Sequence, residues 1–151
     1  MKKLFRLLKV VLVFFAALVF LFSAYNIGLI GQEITGREAE QQALSQEEPY
    51  FLYFYSSDCV MSRLADTPLK EMQSRLKEQQ VDWRWILIDV EEENEMEFSW
   101  HKQVQVTPTL FLYDEFGHIW QQYAGSMDWL MIEQEILEAY HLWSKAKKTM
   151  E

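Results

Sequence analysis

Apolar and polar positions divide this chain into three stretches. Residues 10 to 30 are almost uninterruptedly apolar, and residues 32 to 48, "QEITGREAEQQALSQEE", are polar and rich in Gln and Glu. From Pro49 onward, apolar positions recur with the periods of strands and helices. "YFLYFY" reads as a buried strand, bounded by Pro49 before it and by Ser56, Ser57 and Asp58 after it. Met61, Leu64, Ala65, Leu69, Met72 and Leu76 then follow at helical spacing, with Ser57 or Asp58 as cap and Pro68 inside, where a kink is expected. "VDWRWILIDV" predicts a second strand over Trp83 to Val90, and "EEENEMEFSWHKQ" a surface helix. A hairpin follows, with strands Thr109 to Tyr113 and His118 to Tyr123 about a turn through Asp114 to Gly117. "MDWLMIEQEILEAYHLW" closes the pattern as an amphipathic helix, with Trp129, Ile132, Ile136, Leu137 and Tyr140 on one face.

This order predicts an α/β fold. Two strands joined through a long helix form a parallel pair, the hairpin adds an antiparallel pair, and helices cover both faces of the mixed sheet. Four regions follow: residues 1–31, a basic start and apolar span; residues 32–48, a polar stalk or short exposed helix; residues 49–144, the folded domain; and residues 145–151, a basic C-terminal tail.

The first apolar stretch is long enough to cross a bilayer, since about twenty residues at ~1.5 Å each span a hydrocarbon core of roughly 30 Å. A cleaved signal peptide usually has a shorter apolar region of about 7–15 residues ending in an A-x-A-type site. Here Ala24 is preceded two places earlier by Phe22, so an uncleaved signal anchor is preferred. Lys2, Lys3, Arg6 and Lys9 precede it, which puts the N-terminus in the cytoplasm. The domain is then extracytoplasmic, on a single-pass protein of the cell membrane.

Charge narrows the partners. The formal net charge is −9, and the four cations that soften it lie ahead of the span, so the domain is more acidic than the whole. Such a surface suits neither nucleic acid nor anionic lipid. The acidic run "EEENEMEF", Glu91 to Phe98, lacks the glycine and spaced oxygen ligands of a calcium loop, and reads as a solvated face. No metal or cofactor is expected. The six tryptophans read mostly as core or flank residues, and one left exposed near the cysteine becomes a candidate surface for a partner's peptide.

The chain has one cysteine, Cys59, in "FYSSDCVMSR" at the strand-to-helix turn. That segment resembles the active-site turn of the thioredoxin family, with Cys59 as the nucleophilic cysteine. "VQVTPTLFLYDEFGHI" resembles the family's segment in which a cis proline opens a strand, which makes Pro108 that proline and Thr107 its partner. "YAGSMDWLMIEQEI" is similar to the closing glycine and final helix, and Pro68 falls where thioredoxins kink their long helix. The resemblance covers about Pro49 to Trp143. It implies a thioredoxin-like sheet and an extended peptide bound beside Thr107 and Pro108, strand to strand.

The departures bear on the chemistry. The family's Cys-x-x-Cys is here Cys59-Val60-Met61-Ser62, so the resolving thiol is a hydroxyl. Asp58 stands in place of the usual tryptophan, and Tyr53 in place of the buried acid that helps deprotonate the second cysteine. The first strand and helix of the family have no clear counterpart, unless residues 33 to 46 supply the helix. A cysteine at a helix N-terminus faces unpaired N–H groups that stabilise a thiolate. Ser62 and Arg63 are positioned to add a hydrogen bond and a charge, and Asp58 to oppose them. The expectation is monothiol disulfide exchange or isomerase-like activity, with Cys59 and Ser62 as catalytic residues, acting on protein thiols or disulfides and on a membrane-associated partner. The alternatives are a non-catalytic interaction module in which Cys59 is a relic, and a cysteine hydrolase drawing on His101, His118 or His141.

Overall fold

The computed structural model describes residues 34 to 150. The span 10–30 read as an anchor lies outside the described residues, and among them no helix is long and apolar enough to cross a membrane.

The strand β1, Tyr50–Tyr55, is the axis of the molecule. It pairs in parallel with β2, Arg84–Asp89, and antiparallel with β3, Thr109–Tyr113. β3 pairs antiparallel with β4, Ile119–Ala124, giving the order β2-β1-β3-β4. Alternation along β1 decides which helices lie on which side. Phe51 and Tyr53 face one way, into a cluster with Leu110 and Leu112 of β3. Leu69, Met72 and Leu76 of α2, Val60–Glu78, cover that cluster together with Ile132 and Ile136 of α4, Trp129–Met150. Tyr50, Leu52 and Phe54 face the other way, against Ile86, Ile88, Phe111 and Tyr113. There the cover is Phe98 of α3, Glu93–His101, and Ala39 and Ala43 of α1, Gly36–Leu44. Burying one large apolar side chain contributes roughly 1.5–3 kcal/mol, so two such layers carry the domain.

The expected mixed sheet, hairpin and helix order are therefore present, and four expectations are corrected. Of the stalk or short exposed helix read over residues 32–48, a short helix is present, Gly36–Leu44, and it packs on the sheet instead of standing fully exposed. Thr35 caps α1 in a capping box with Glu38, and Ala39 and Ala43 are small enough to let the helix sit close on the sheet. The run Glu91 to Phe98 is not wholly solvated, because Phe98 enters the core and the Glu95 carboxylate accepts the Gly36 N–H at 2.7 Å at the start of α1. The buried stripe of α2 is Ser62, Ala65, Leu69, Met72 and Leu76, so Met61 and Leu64 fall off it and are exposed. Residues 145–150 continue α4 rather than forming a tail, since Lys and Ala are good helix formers and nothing breaks the turn. Arg75 of α2 clamps Glu133 of α4, with a guanidinium nitrogen 2.8 Å from the carboxylate.

The packing of α1 is testable. Ala43→Glu puts a charge into a site only 2% exposed and should lower the stability of the domain by roughly 3 kcal/mol in urea unfolding. Gln41→Glu on the exposed side should stay within about 0.5 kcal/mol of the parent. Equal, small effects at both positions would return the helix to a solvated stalk.

Candidate active site

β1 ends at Tyr55, and the chain turns through Ser56 to Cys59 with the Cys59 N–H donating to the Ser56 carbonyl at 3.1 Å. Helical geometry begins only at Val60. Cys59 itself is therefore the N-cap of α2, extended at φ −79° and ψ 123°, in place of the expected Ser57 or Asp58. The thiol makes no capping hydrogen bond; it donates instead to the Thr107 carbonyl oxygen at 3.4 Å. Cys59 is half-buried.

Thr107 arrives on the loop that leads into β3, the strand that pairs with β1 on its other side from β2. The Thr107–Pro108 bond is cis. The Thr109 hydroxyl donates to the Val106 carbonyl at 2.7 Å, and the Gly125 N–H donates to the Pro108 carbonyl at 2.8 Å, so the loop is fastened to both neighbouring segments. Ser62 lies one turn into α2, buried, and its hydroxyl oxygen accepts the Ser56 N–H at 3.2 Å. Cys59, Ser62, Thr107 and Pro108 are thus brought together.

The thiol pKa is lowered from 9.0 to about 7. The largest cause is the neighbouring Thr107 side chain, then the Ser62 N–H, with the Ser62 hydroxyl and Met61 N–H adding to them against the cost of desolvation. The two states of the sulfur use different partners: as a thiol it donates to a carbonyl, and as a thiolate it collects donors at the helix start. Arg63 does not take part, because its guanidinium donates to the Ser57 carbonyl at 3.0 Å. Asp58 is exposed and is not among the groups that shift the thiol.

Behind Ser62 the acid of the resembled family is replaced in substance as well as in name. Tyr53 is 3% exposed, its hydroxyl has no hydrogen-bond partner, and burial, with Asp66 and Cys59 adding to it, pushes its pKa up to about 12. A phenol that stays protonated cannot accept a proton from a thiol at position 62. Beside Tyr53 a cavity of about 370 Å³ opens between α2 and β2, walled by Tyr55, Leu69 and Leu87.

None of the three histidines hydrogen-bonds Cys59. His101 approaches Glu97 at 3.3 Å, His118 approaches Asp114 at 3.0 Å, and His141 is exposed on α4. Without a base at the sulfur the hydrolase alternative falls. Among the described residues no group of His, Cys, Asp and Glu could hold a metal ion. Ser56 was given no role by the sequence, and Trp100 entered only as one of six tryptophans, any of which becomes a candidate peptide surface if left exposed near the cysteine. Ser56 braces the turn through its N–H and donates its hydroxyl to Glu91 at 2.7 Å; its place directly after the strand was the available signal. Trp100 is 81% exposed and lines a groove of about 310 Å³ that reaches Thr107, although helical spacing alone gave no sign of it.

Superposition on solved structures decides the architecture. An oxidised thioredoxin O2 from Arabidopsis thaliana matches at TM-score 0.55 and 17% identity, over 70% of this chain and 90% of that one. The fold is thioredoxin-like. The thioredoxin of Trypanosoma brucei brucei matches at TM-score 0.58 and 13% identity, covering 69% of this chain and 85% of that one. Mitochondrial thioredoxin 3 of Saccharomyces cerevisiae, in its oxidised form, matches at 0.56 and 17%, covering 70% and 92%. No protein-family model and no curated protein matches the sequence. This thioredoxin-like domain therefore shares with those structures a fold, at identities too low to carry residue roles.

The donors around the sulfur make a direct prediction. The rate of Cys59 alkylation against pH should rise with a midpoint of about 7. Thr107→Val and Ser62→Ala should each move it upward, and Arg63→Ala should leave it in place. The sign for stability follows, because the folded state prefers the thiolate. The contribution is fully present above the ordinary thiol value of 9.0 and is lost as pH falls through about 7. A midpoint near 9 in the parent protein would show that the donors do not act on the sulfur.

Proposed function

We propose that this protein performs monothiol disulfide exchange, or isomerase-like shuffling, outside the cytoplasm, with Cys59 as nucleophile and residues 10–30 as its membrane tether. The observation that carries the reading is the placement of a half-buried, acidified thiol at the start of α2, directly against the Thr107–Pro108 loop. At neutral pH a large share of such a thiol is thiolate, the attacking form.

The step balances without any cofactor. The Cys59 thiolate attacks one sulfur of a partner disulfide, a new sulfur–sulfur bond forms, and the partner's second sulfur leaves with the electron pair and takes a proton from water. Thr107, with the Ser62 N–H and hydroxyl, holds the sulfur before attack. Ser62 cannot expel the partner, because a hydroxyl does not displace a thiolate from a disulfide. Resolution falls to another thiol: the partner's own, which completes an isomerisation, or that of a second molecule, whose attack on the Cys59 sulfur releases the partner as a dithiol and leaves Cys59 disulfide-bonded to that molecule until a further thiol displaces it. The partners are protein thiols or disulfides, including a membrane-associated one.

Trapping tests this chemistry. Intact membranes quenched with an alkylating agent and run on non-reducing gels should show Cys59-dependent adducts that vanish on reduction and are absent from Cys59→Ser. Ser62→Cys should shorten their lifetime by roughly 100-fold, since an intramolecular thiol acts at high effective concentration. Tyr53 should keep that variant slower than a complete dithiol site. A parent protein that forms no adduct under any quench ends the exchange reading.

The tether is tested separately. A reporter active only outside the cytoplasm should work when fused after Gly31, and the mature chain should retain its basic start. A mature N-terminus near Tyr25 by mass spectrometry would replace the anchor by a cleaved leader.

A further inference from the structure

The groove beside Thr107 carries features that exchange chemistry does not require. Trp100 of α3 is 81% exposed, Val106 50% and Met96 46%, and all three line it. A single exposed apolar side chain is ordinary, but three that share one groove reaching Thr107, whose carbonyl lies 3.4 Å from the Cys59 sulfur, form a contact surface. Glu91 is the only ionisable residue among its walls. One Glu91 oxygen accepts the Ser56 hydroxyl at 2.7 Å, which leaves its second oxygen for another donor.

The cations of this side are engaged elsewhere. Arg37 lies 3.3 Å from Glu97, Lys102 lies 2.6 Å from Glu40, and Arg63 donates to the Ser57 carbonyl. No cation among the described residues pairs with Glu91. Glu92 and Glu93, beside it, are exposed and add to the negative potential. Trp100 and Glu91 line the same groove, one offering an indole face and the other an unneutralised carboxylate, and together these suit a guanidinium or ammonium through cation–π attraction and charge.

We propose that this groove selects extended peptide segments with a basic residue next to the reacting cysteine, and that Trp100 and Glu91 are the specificity-determining residues. The inference rests on the exchange reading for its biological sense, and its binding test does not. The peptide backbone runs past Thr107 with its sulfur at Cys59. The basic side chain lies over Trp100 with its charge toward Glu91.

The test uses the full-length chain in detergent with Cys59→Ser, and labelled peptides in which serine replaces cysteine and the neighbour is Arg, Lys, Leu or Glu. Fluorescence anisotropy should rank them in that order, with Arg about tenfold tighter than Glu at low ionic strength and less at high. Trp100→Ala should weaken the Arg peptide by about fivefold while leaving the Glu peptide unchanged. Glu91→Gln should narrow the gap between Arg and Glu peptides. Because Trp100 is exposed, its variant should melt with the parent, which separates a lost contact from a lost fold. A flat ranking, or equal losses for every peptide, would overturn the selectivity. The wild-type chain with cysteine disulfide peptides separates the two readings. Adducts without sequence preference would sink the selectivity and keep exchange, and ranked binding without adducts would do the reverse.

Discussion

Both layers of this domain depend on the burial of β1 on its two faces at once. Tyr50, Phe51, Leu52, Tyr53 and Phe54 are each at most 3% exposed. Such a strand cannot shift register by one residue without trading its two clusters, so its C-terminal end is held in one place. Everything chemical in the molecule hangs from that end. Ser56 is the first residue past the strand, and its N–H on the Ser62 hydroxyl ties the strand to the first turn of α2. The cysteine between them has no freedom to leave the helix start.

The site that results is consistent in what it keeps and what it lacks. It keeps a thiol acidified by neutral donors, Thr107 and the N–H groups of Ser62 and Met61, with no cation at the sulfur. It lacks a second thiol, and the buried Tyr53 phenol, which lines one cavity with Ser62, stays protonated and so offers no base there. Attack needs only the first set. Under the proposed exchange, expulsion of the partner needs the second.

α1 and α3 act as one wall. The Glu95 carboxylate at the Gly36 N–H puts negative charge at the positive end of α1, and the space for a Cβ on Gly36 is already taken, with Ile88 and Glu95 atoms at 2.9 Å. The same helix α3 carries Trp100 on its outer side. Burial of Glu95 and Phe98 thus holds the indole steady at the groove although the indole is itself in solvent.

Much of this was legible along the chain, because it is written in local terms. The continuous apolar run of β1, the turn residues of the hairpin, the apolar stripe of α2 beyond Ala65 and the "VTPT" segment are properties of neighbouring residues. So was the pairing of a lone cysteine with a missing resolving thiol. What local pattern could not supply was which polar-looking helix lies on the sheet. "REAEQQAL" reads as solvated because alanine buries little area, yet two alanines are what close packing requires. The acidic run beginning at Glu91 looked uniformly wet, and only the approach of Gly36 from 59 residues away gives Glu95 a partner in the interior. The first turn of α2 seemed apolar by spacing, whereas the phase of its buried stripe is set by the sheet beneath it. The sequence by itself determined the strands, the single cysteine at the turn after β1 and the absence of a second one. Tertiary structure alone decided what surrounds the sulfur, since Thr107 lies 48 residues from Cys59 and a hydrogen bond across that separation exists only once the sheet has closed.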